Sequence, residues 1–65
     1  MGQDKILNDI KEAYKRGYVS LDELKDVIAG EVVRTANAKL LQQSIRSGVV
    51  SINAARELVK QISEK

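Results

Sequence analysis

Two serines and a pair of adjacent acids are the side chains of this sequence that are best suited to chemistry. Asp22 and Glu23 could act as a general acid and base, and Ser20 or Ser51 could act as a nucleophile if a base activated it. The chain has no His to supply that base. Serine followed by acids is also typical of a helix N-terminus, where the hydroxyl caps free amides and the acids complement the helix dipole. We therefore predict that these residues are structural, with no catalytic residues and no enzymatic activity.

The segment 12–23 has a spacing that calcium-binding loops also show. Gly17 stands at its sixth place and Glu23 at its twelfth, but Tyr14 and Arg16 occupy places where calcium needs oxygen ligands. The absence of Cys and His excludes disulfides, thiolate chemistry and the commonest zinc sites. We predict no metal, no cofactor and no small-molecule substrate.

The residues around the first serine recur around the second. An offset of 31 residues brings apolar positions on both sides into register, which predicts one unit used twice. The same offset pairs Gly17 with Gly48, Val19 with Val50, and Ser20 with Ser51.

Each copy of this unit predicts a helical hairpin. Apolar residues recur at helical spacing before each glycine and after each serine. The glycine suits the left-handed conformation that ends a helix, and the serine suits the N-cap of the next helix. Val19 and Val50 are expected to be buried beneath the turns. In the first copy, Ser20 and Glu23 have the spacing of a capping box.

The stretch between the two hairpins admits two interpretations. Gly30 could end the second helix and Thr35 could cap the third, which predicts four helices and is the interpretation we favour. The alternative is one central helix from about Leu21 to Arg46, with Gly30 inside it at a cost of about 1 kcal/mol relative to Ala. Val32 and Val33 would then be exposed unless a second chain covered them. These two valines are the candidate oligomer interface.

The sequence thus predicts an all-α fold in which two repeated hairpins of short helices pack into one small bundle. Residues 1–65 form a single domain, with hairpin one at about 4–30 and hairpin two at about 35–63. A chain of this length is near the lower limit for independent folding, so a partner subunit could contribute stability. No apolar run is long enough to cross a bilayer, and the first residues lack the pattern of a signal peptide. We expect a cytoplasmic protein that does not enter membranes.

The hairpin sequences resemble a known oligomerisation motif. The segments IKEAYKRGYVSLDELKDVI and LLQQSIRSGVVSINAARELV are similar to the short C-terminal oligomerisation motif SHOCT, in which a Gly-x-Ile/Val-Thr/Ser turn joins two helices. In the second segment Ala54 and Ala55 replace the acids that follow the turn in that motif. The resemblance implies assembly. The plentiful aliphatic residues and the absence of Phe and Trp favour an aliphatic dimer interface, so we expect a homo-oligomer, in particular a homodimer, and a protein partner.

The two halves of the chain differ in net charge, which suggests nucleic acid as a different partner. Residues 1–31 have five basic and seven acidic side chains, a net charge of −2, whereas residues 32–65 have six and two, a net charge of +4. A basic, amide-rich surface on the second half could contact the phosphates and base edges of nucleic acid. The candidate residues are Arg34, Asn37, Lys39, Gln43, Arg46, Asn53, Arg56 and Lys60.

Two functions therefore follow from the sequence. The favoured one is a non-enzymatic regulatory or adaptor module that self-associates and binds another macromolecule, since aliphatic residues are plentiful and the total charge is only +2. The alternative is a compact DNA-binding regulator of the kind found in phages and plasmids, resembling a helix-turn-helix protein and using the basic second hairpin.

Overall fold

The computed structural model describes residues 2–64 and consists of four α-helices, which confirms the predicted all-α fold. No strand occurs within this range. The helices are α1 (Gly2–Lys15), α2 (Leu21–Ala29), α3 (Ala36–Arg46) and α4 (Ile52–Ser63).

The turns that join α1 to α2 and α3 to α4 have the same local geometry. Gly17 and Gly48 have φ values of 82° and 85°, which L side chains rarely adopt. The hydroxyl of Ser20 accepts the backbone N–H of Glu23, and that of Ser51 accepts the N–H of Ala54, each at 3.1 Å. In both turns a glycine thus follows the end of one helix and a serine caps the start of the next. That the two halves are one unit used twice stays a prediction.

The middle of the chain is not one long helix. Gly30 ends α2 in the left-handed conformation with φ 78°, and its N–H donates to the carbonyl of Val27. Residues 31–34 are non-helical, and the hydroxyl of Thr35 accepts the N–H of Ala38 at 3.2 Å to start α3. The alternative of a central helix from Leu21 to Arg46 is therefore wrong, because both ends of the interruption have their own caps.

Packing occurs mainly between the two hairpins and little within each of them. Helix α2 packs against α3 and α4, and α1 packs against the same two helices. Helices joined by a Gly-x-Val-Ser turn contact each other little. Each helix therefore turns its apolar stripe toward the other hairpin, and neither hairpin has a core of its own.

The core is aliphatic and lies where the four stripes meet. Val19 and Val50 lie beneath the two turns, and Ser44 is the buried polar residue, its hydroxyl donating to the carbonyl of Leu40 at 2.8 Å. Full burial of an aliphatic side chain contributes about 1.5–3 kcal/mol, so this cluster is the main source of stability. The buried apolar residues are Ile10, Ala13, Val19, Leu24, Val27, Val33, Ala38, Leu41, Val50, Ala55, Leu58 and Ile62.

Candidate interaction surface

The connector between α2 and α3, residues 30–35, presents one valine to solvent and buries the next. The side chain of Val32 is 89% exposed, whereas that of Val33 is 5% exposed and belongs to the core. The two neighbouring side chains therefore point in different directions, Val32 to solvent and Val33 into the core. Of the two candidate interface residues, Val32 is therefore on the surface, and Val33 is not available to a second chain.

The connector is attached to the helices on both sides of Val32. The carboxylate of Glu23 in α2 accepts the N–H of Arg34 at 2.6 Å and that of Thr35 at 3.1 Å. On the other side, the side-chain amide of Gln42 in α3 donates to the carbonyl of Glu31 at 2.8 Å. Val32 is thus held outward by a connector whose backbone is hydrogen-bonded before and after it.

The role of Glu23 differs from the predicted capping box. A capping box would direct its carboxylate back to the N–H of Ser20, but the carboxylate reaches the connector eleven and twelve residues further along the chain. The hydrogen bonds from Arg34 and Thr35 lower the pKa of Glu23, because they favour its charged form. The difference arises from packing, since α2 lies against α3 and brings the connector amides to its first turn.

A shallow groove of about 300 Å³ lies beside Val32, and we call it the connector groove. One wall is the connector and the other is the solvent side of α3. Its lining includes one acid, two bases and two valines, of which Val32 is exposed and Val33 is buried. Its lining residues are Gly30, Glu31, Val32, Val33, Lys39, Gln42, Gln43 and Arg46.

Three of the eight predicted nucleic-acid residues meet in this groove. Lys39, Gln43 and Arg46 line it together, as their spacing on one helix predicts. Arg34 is exposed on the connector, with its backbone N–H engaged by Glu23.

The other four candidates lie elsewhere. Asn53, Arg56 and Lys60 are exposed on α4, and none of them lines the connector groove. Asn37 lies in a separate groove between α1 and α3, beside Glu12 and other residues of α1. The eight residues therefore do not all line one groove, and the period of α3 places Asn37 on a different side of that helix from Lys39 and Arg46.

Ion pairing within the described residues is confined to α1. Lys5 pairs with Asp9 at 3.2 Å and Lys15 with Glu12 at 3.9 Å. Within residues 2–64, none of the acidic or basic side chains of the connector groove takes part in an ion pair.

Among residues 2–64, Val32 is the most exposed of the large apolar side chains. Tyr18 is 61% exposed and borders the groove that contains Asn37, and Val49 at 46% lies near Gly2 at the start of α1. The exposed large apolar residues are Tyr18, Val32, Leu40, Val49 and Ile52.

Three residues of the connector groove, Gly30, Glu31 and Gln42, are absent from the sequence-based interface and nucleic-acid candidates. Glu31 and Gln42 line the groove, although no motif assigns them to it. Glu31 lies between the predicted helix ends at Gly30 and Thr35, and Gln42 lies inside the predicted third helix. Their placement together follows from the packing of the connector on α3.

Comparisons with known proteins do not assign this chain to a family. No family model, no curated protein and no solved structure matches this chain. The resemblance to the SHOCT motif therefore stays a prediction based on the turn residues. Within residues 2–64, no helix has the length and apolar character needed to cross a membrane, and no group of three His, Cys, Asp or Glu side chains could hold a metal ion.

Proposed function

We propose that this protein is a small non-enzymatic regulatory or adaptor module that self-associates as a homodimer and binds another macromolecule. The observation that carries the proposal is the exposure of Val32 on a connector that is hydrogen-bonded on both sides. An apolar side chain on a preorganised segment loses little conformational entropy when it binds, so most of its burial contributes to affinity. Self-association removes Val32 from water.

The residues around the turns support a role without catalysis. The hydroxyls of Ser20 and Ser51 accept helix amides, and the carboxylate of Glu23 accepts amides of the connector. Each of these groups has a structural partner that accounts for its presence.

A DNA-binding regulator is the second candidate, and one observation favours it. Residues 32–56 contain no acid, whereas Arg34, Lys39, Arg46 and Arg56 are basic. Basic side chains on α3 and α4 would contact phosphates, and such contacts weaken as salt rises because counterions are released. We rank it second because the basic residues of α4 do not line the groove that Lys39 and Arg46 of α3 line, and because the connector between α2 and α3 is longer than the turn of a helix-turn-helix.

Measurement of molar mass against concentration tests self-association. We expect wild type to reach the mass of a dimer and Val32→Ser to stay a monomer with unchanged helicity. Val49→Ser is the matched control, because it removes another exposed valine that does not line the connector groove, and it should dimerise like wild type. A wild type that stays monomeric at all concentrations would contradict the proposal.

A salt titration of binding to random duplex DNA tests the second candidate. A DNA-binding regulator should lose affinity steeply with rising salt, and Arg56→Glu with Lys60→Glu should weaken its binding while leaving the molar mass unchanged. Under the favoured proposal, binding to duplex DNA is weak and these reversals have little effect.

A further inference from the structure

We infer that the connector groove pairs with the same groove of a second copy around a two-fold axis, with Glu31 of each copy opposite Arg46 of the other. The two Val32 side chains then lie at the centre of the contact. This inference rests on the proposed self-association. It further specifies which surface forms the contact, the two-fold symmetry and the charge pairs.

The composition of the groove is what a two-fold contact requires. In such an interface the same patch appears on both sides, so every group must find its complement within that patch. The connector groove contains an apolar side chain, Val32, that can meet its own copy. It also contains an acid, Glu31, and a base, Arg46, that can meet each other. A patch with bases alone would repel itself.

Glu31 and Arg46 are available for a second copy. They line the same groove, yet within the described residues neither takes part in an ion pair. The hydrogen bond from Gln42 holds the backbone of Glu31 against α3, next to Val32. The fixed backbone keeps the acid and the valine side by side at the groove.

Arg46 suits the pairing better than Lys39, the other base of the groove. A guanidinium presents a planar set of donors that binds a carboxylate through two parallel hydrogen bonds, whereas an ammonium acts as a point charge. Lys39 and Arg46 are both exposed, so the planar geometry of the guanidinium decides between them. We therefore assign the charge pair to Arg46.

The groove is less well suited to nucleic acid. The carboxylate of Glu31 would repel phosphate, and no aromatic side chain lines the groove to stack on a base. Tyr14 and Tyr18 lie in other grooves. A second copy pairs Glu31 with Arg46 and leaves Lys39 unpaired, whereas a polyanion would contact the two bases and also face the carboxylate of Glu31.

Charge reversal and mixing test the inference. In a symmetric dimer of Glu31→Arg, or of Arg46→Glu, both charge pairs become pairs of like charges. Each variant should therefore raise the dimer Kd at least about tenfold. When the two variants are mixed, the arginine introduced in one variant faces the glutamate introduced in the other, and the remaining native Glu31 and Arg46 face each other. We expect the mixture to form a heterodimer with a Kd close to that of wild type, measured by sedimentation with one variant labelled.

Matched reversals outside the groove serve as controls. Lys25→Glu on α2 and Glu57→Arg on α4 change the net charge of the protein by the same amounts, and both side chains are exposed. They should leave the dimer Kd unchanged, and circular dichroism should show the same helicity in all variants.

The outcomes separate this inference from the proposed function. A dimer that survives both reversals, or two weakened variants that do not pair when mixed, overturns the Glu31–Arg46 geometry while self-association stands. A monomeric wild type overturns self-association and this geometry together. Assemblies larger than a dimer in wild type overturn the two-fold arrangement.

Discussion

The carboxylate of Glu23 accepts the backbone N–H of Arg34 at 2.6 Å, which ties the first turn of α2 to the residue before the cap of α3. The same oxygen accepts the N–H of Thr35 at 3.1 Å. These amides precede α3 and have no partner in its helix. The contact therefore satisfies two donors, sets the course of the connector and holds Val32 in solvent.

Glu23→Gln should lower the melting temperature at neutral pH, and the loss should depend on pH. Because the connector amides lower the pKa of Glu23 in the folded state, its charge stabilises the fold above the unfolded pKa of about 4.3. That contribution is complete above about pH 5.5 and is lost as the pH falls through the lowered pKa. Thermal melts from pH 7 to pH 3 should show the difference between wild type and Glu23→Gln shrinking.

Another acid, Glu57, provides a control for that experiment. It is exposed on α4 and accepts no hydrogen bond from the connector, so Glu57→Gln should follow the pH dependence of wild type. A Glu23→Gln variant that melts with wild type at pH 7 would show that the connector does not depend on this carboxylate.

Gly17→Val and Gly48→Val should each destabilise the fold by about 1 kcal/mol or more. A β-branched residue is strained at positive φ, and the two glycines have φ values of 82° and 85°. A Cβ at either position would meet nothing within 4 Å, so the cost comes from the backbone rather than from a clash. Denaturant titration measures it, and Asn at the same positions should cost less because Asn tolerates this conformation. Equal stability of the Val variants and wild type would contradict the turn assignment.

Val33→Ala and Val32→Ala should have very different effects although the residues are adjacent. Val33 is in the core, so its truncation leaves a cavity and should cost about 1–3 kcal/mol of unfolding free energy. Val32→Ala should change the stability of the dilute protein by less than about 0.5 kcal/mol. Chemical denaturation at low protein concentration compares the two, and similar losses would contradict the connector conformation.

Calcium at millimolar concentration should leave the melting temperature unchanged. Glu23, the residue at the twelfth place of the calcium-like spacing, uses its carboxylate on the amides of Arg34 and Thr35. The other ligand positions of this segment provide too few oxygen atoms to bind calcium. Melts with calcium and with EDTA provide the comparison, and a rise in melting temperature with calcium would show that a metal site exists.

The ends of the helices follow from local sequence. Glycines that tolerate positive φ and serines that cap amides act through a few neighbouring residues, so their positions reveal the turns at Gly17 and Gly48 without knowledge of packing. The caps at Gly30 and Thr35 act in the same local way, which is why four helices are predictable.

The contacts across the bundle depend on tertiary packing. The contrast between Val32 and Val33 has no sequence signal, because both are valines and the burial of one depends on how the connector packs on the helices. The use of Glu23 depends on the packing of α2 against α3, which brings connector amides to a carboxylate that local spacing assigns to Ser20. Contacts between residues far apart in sequence depend on how the apolar stripes of different helices pack, and local patterns do not specify that arrangement.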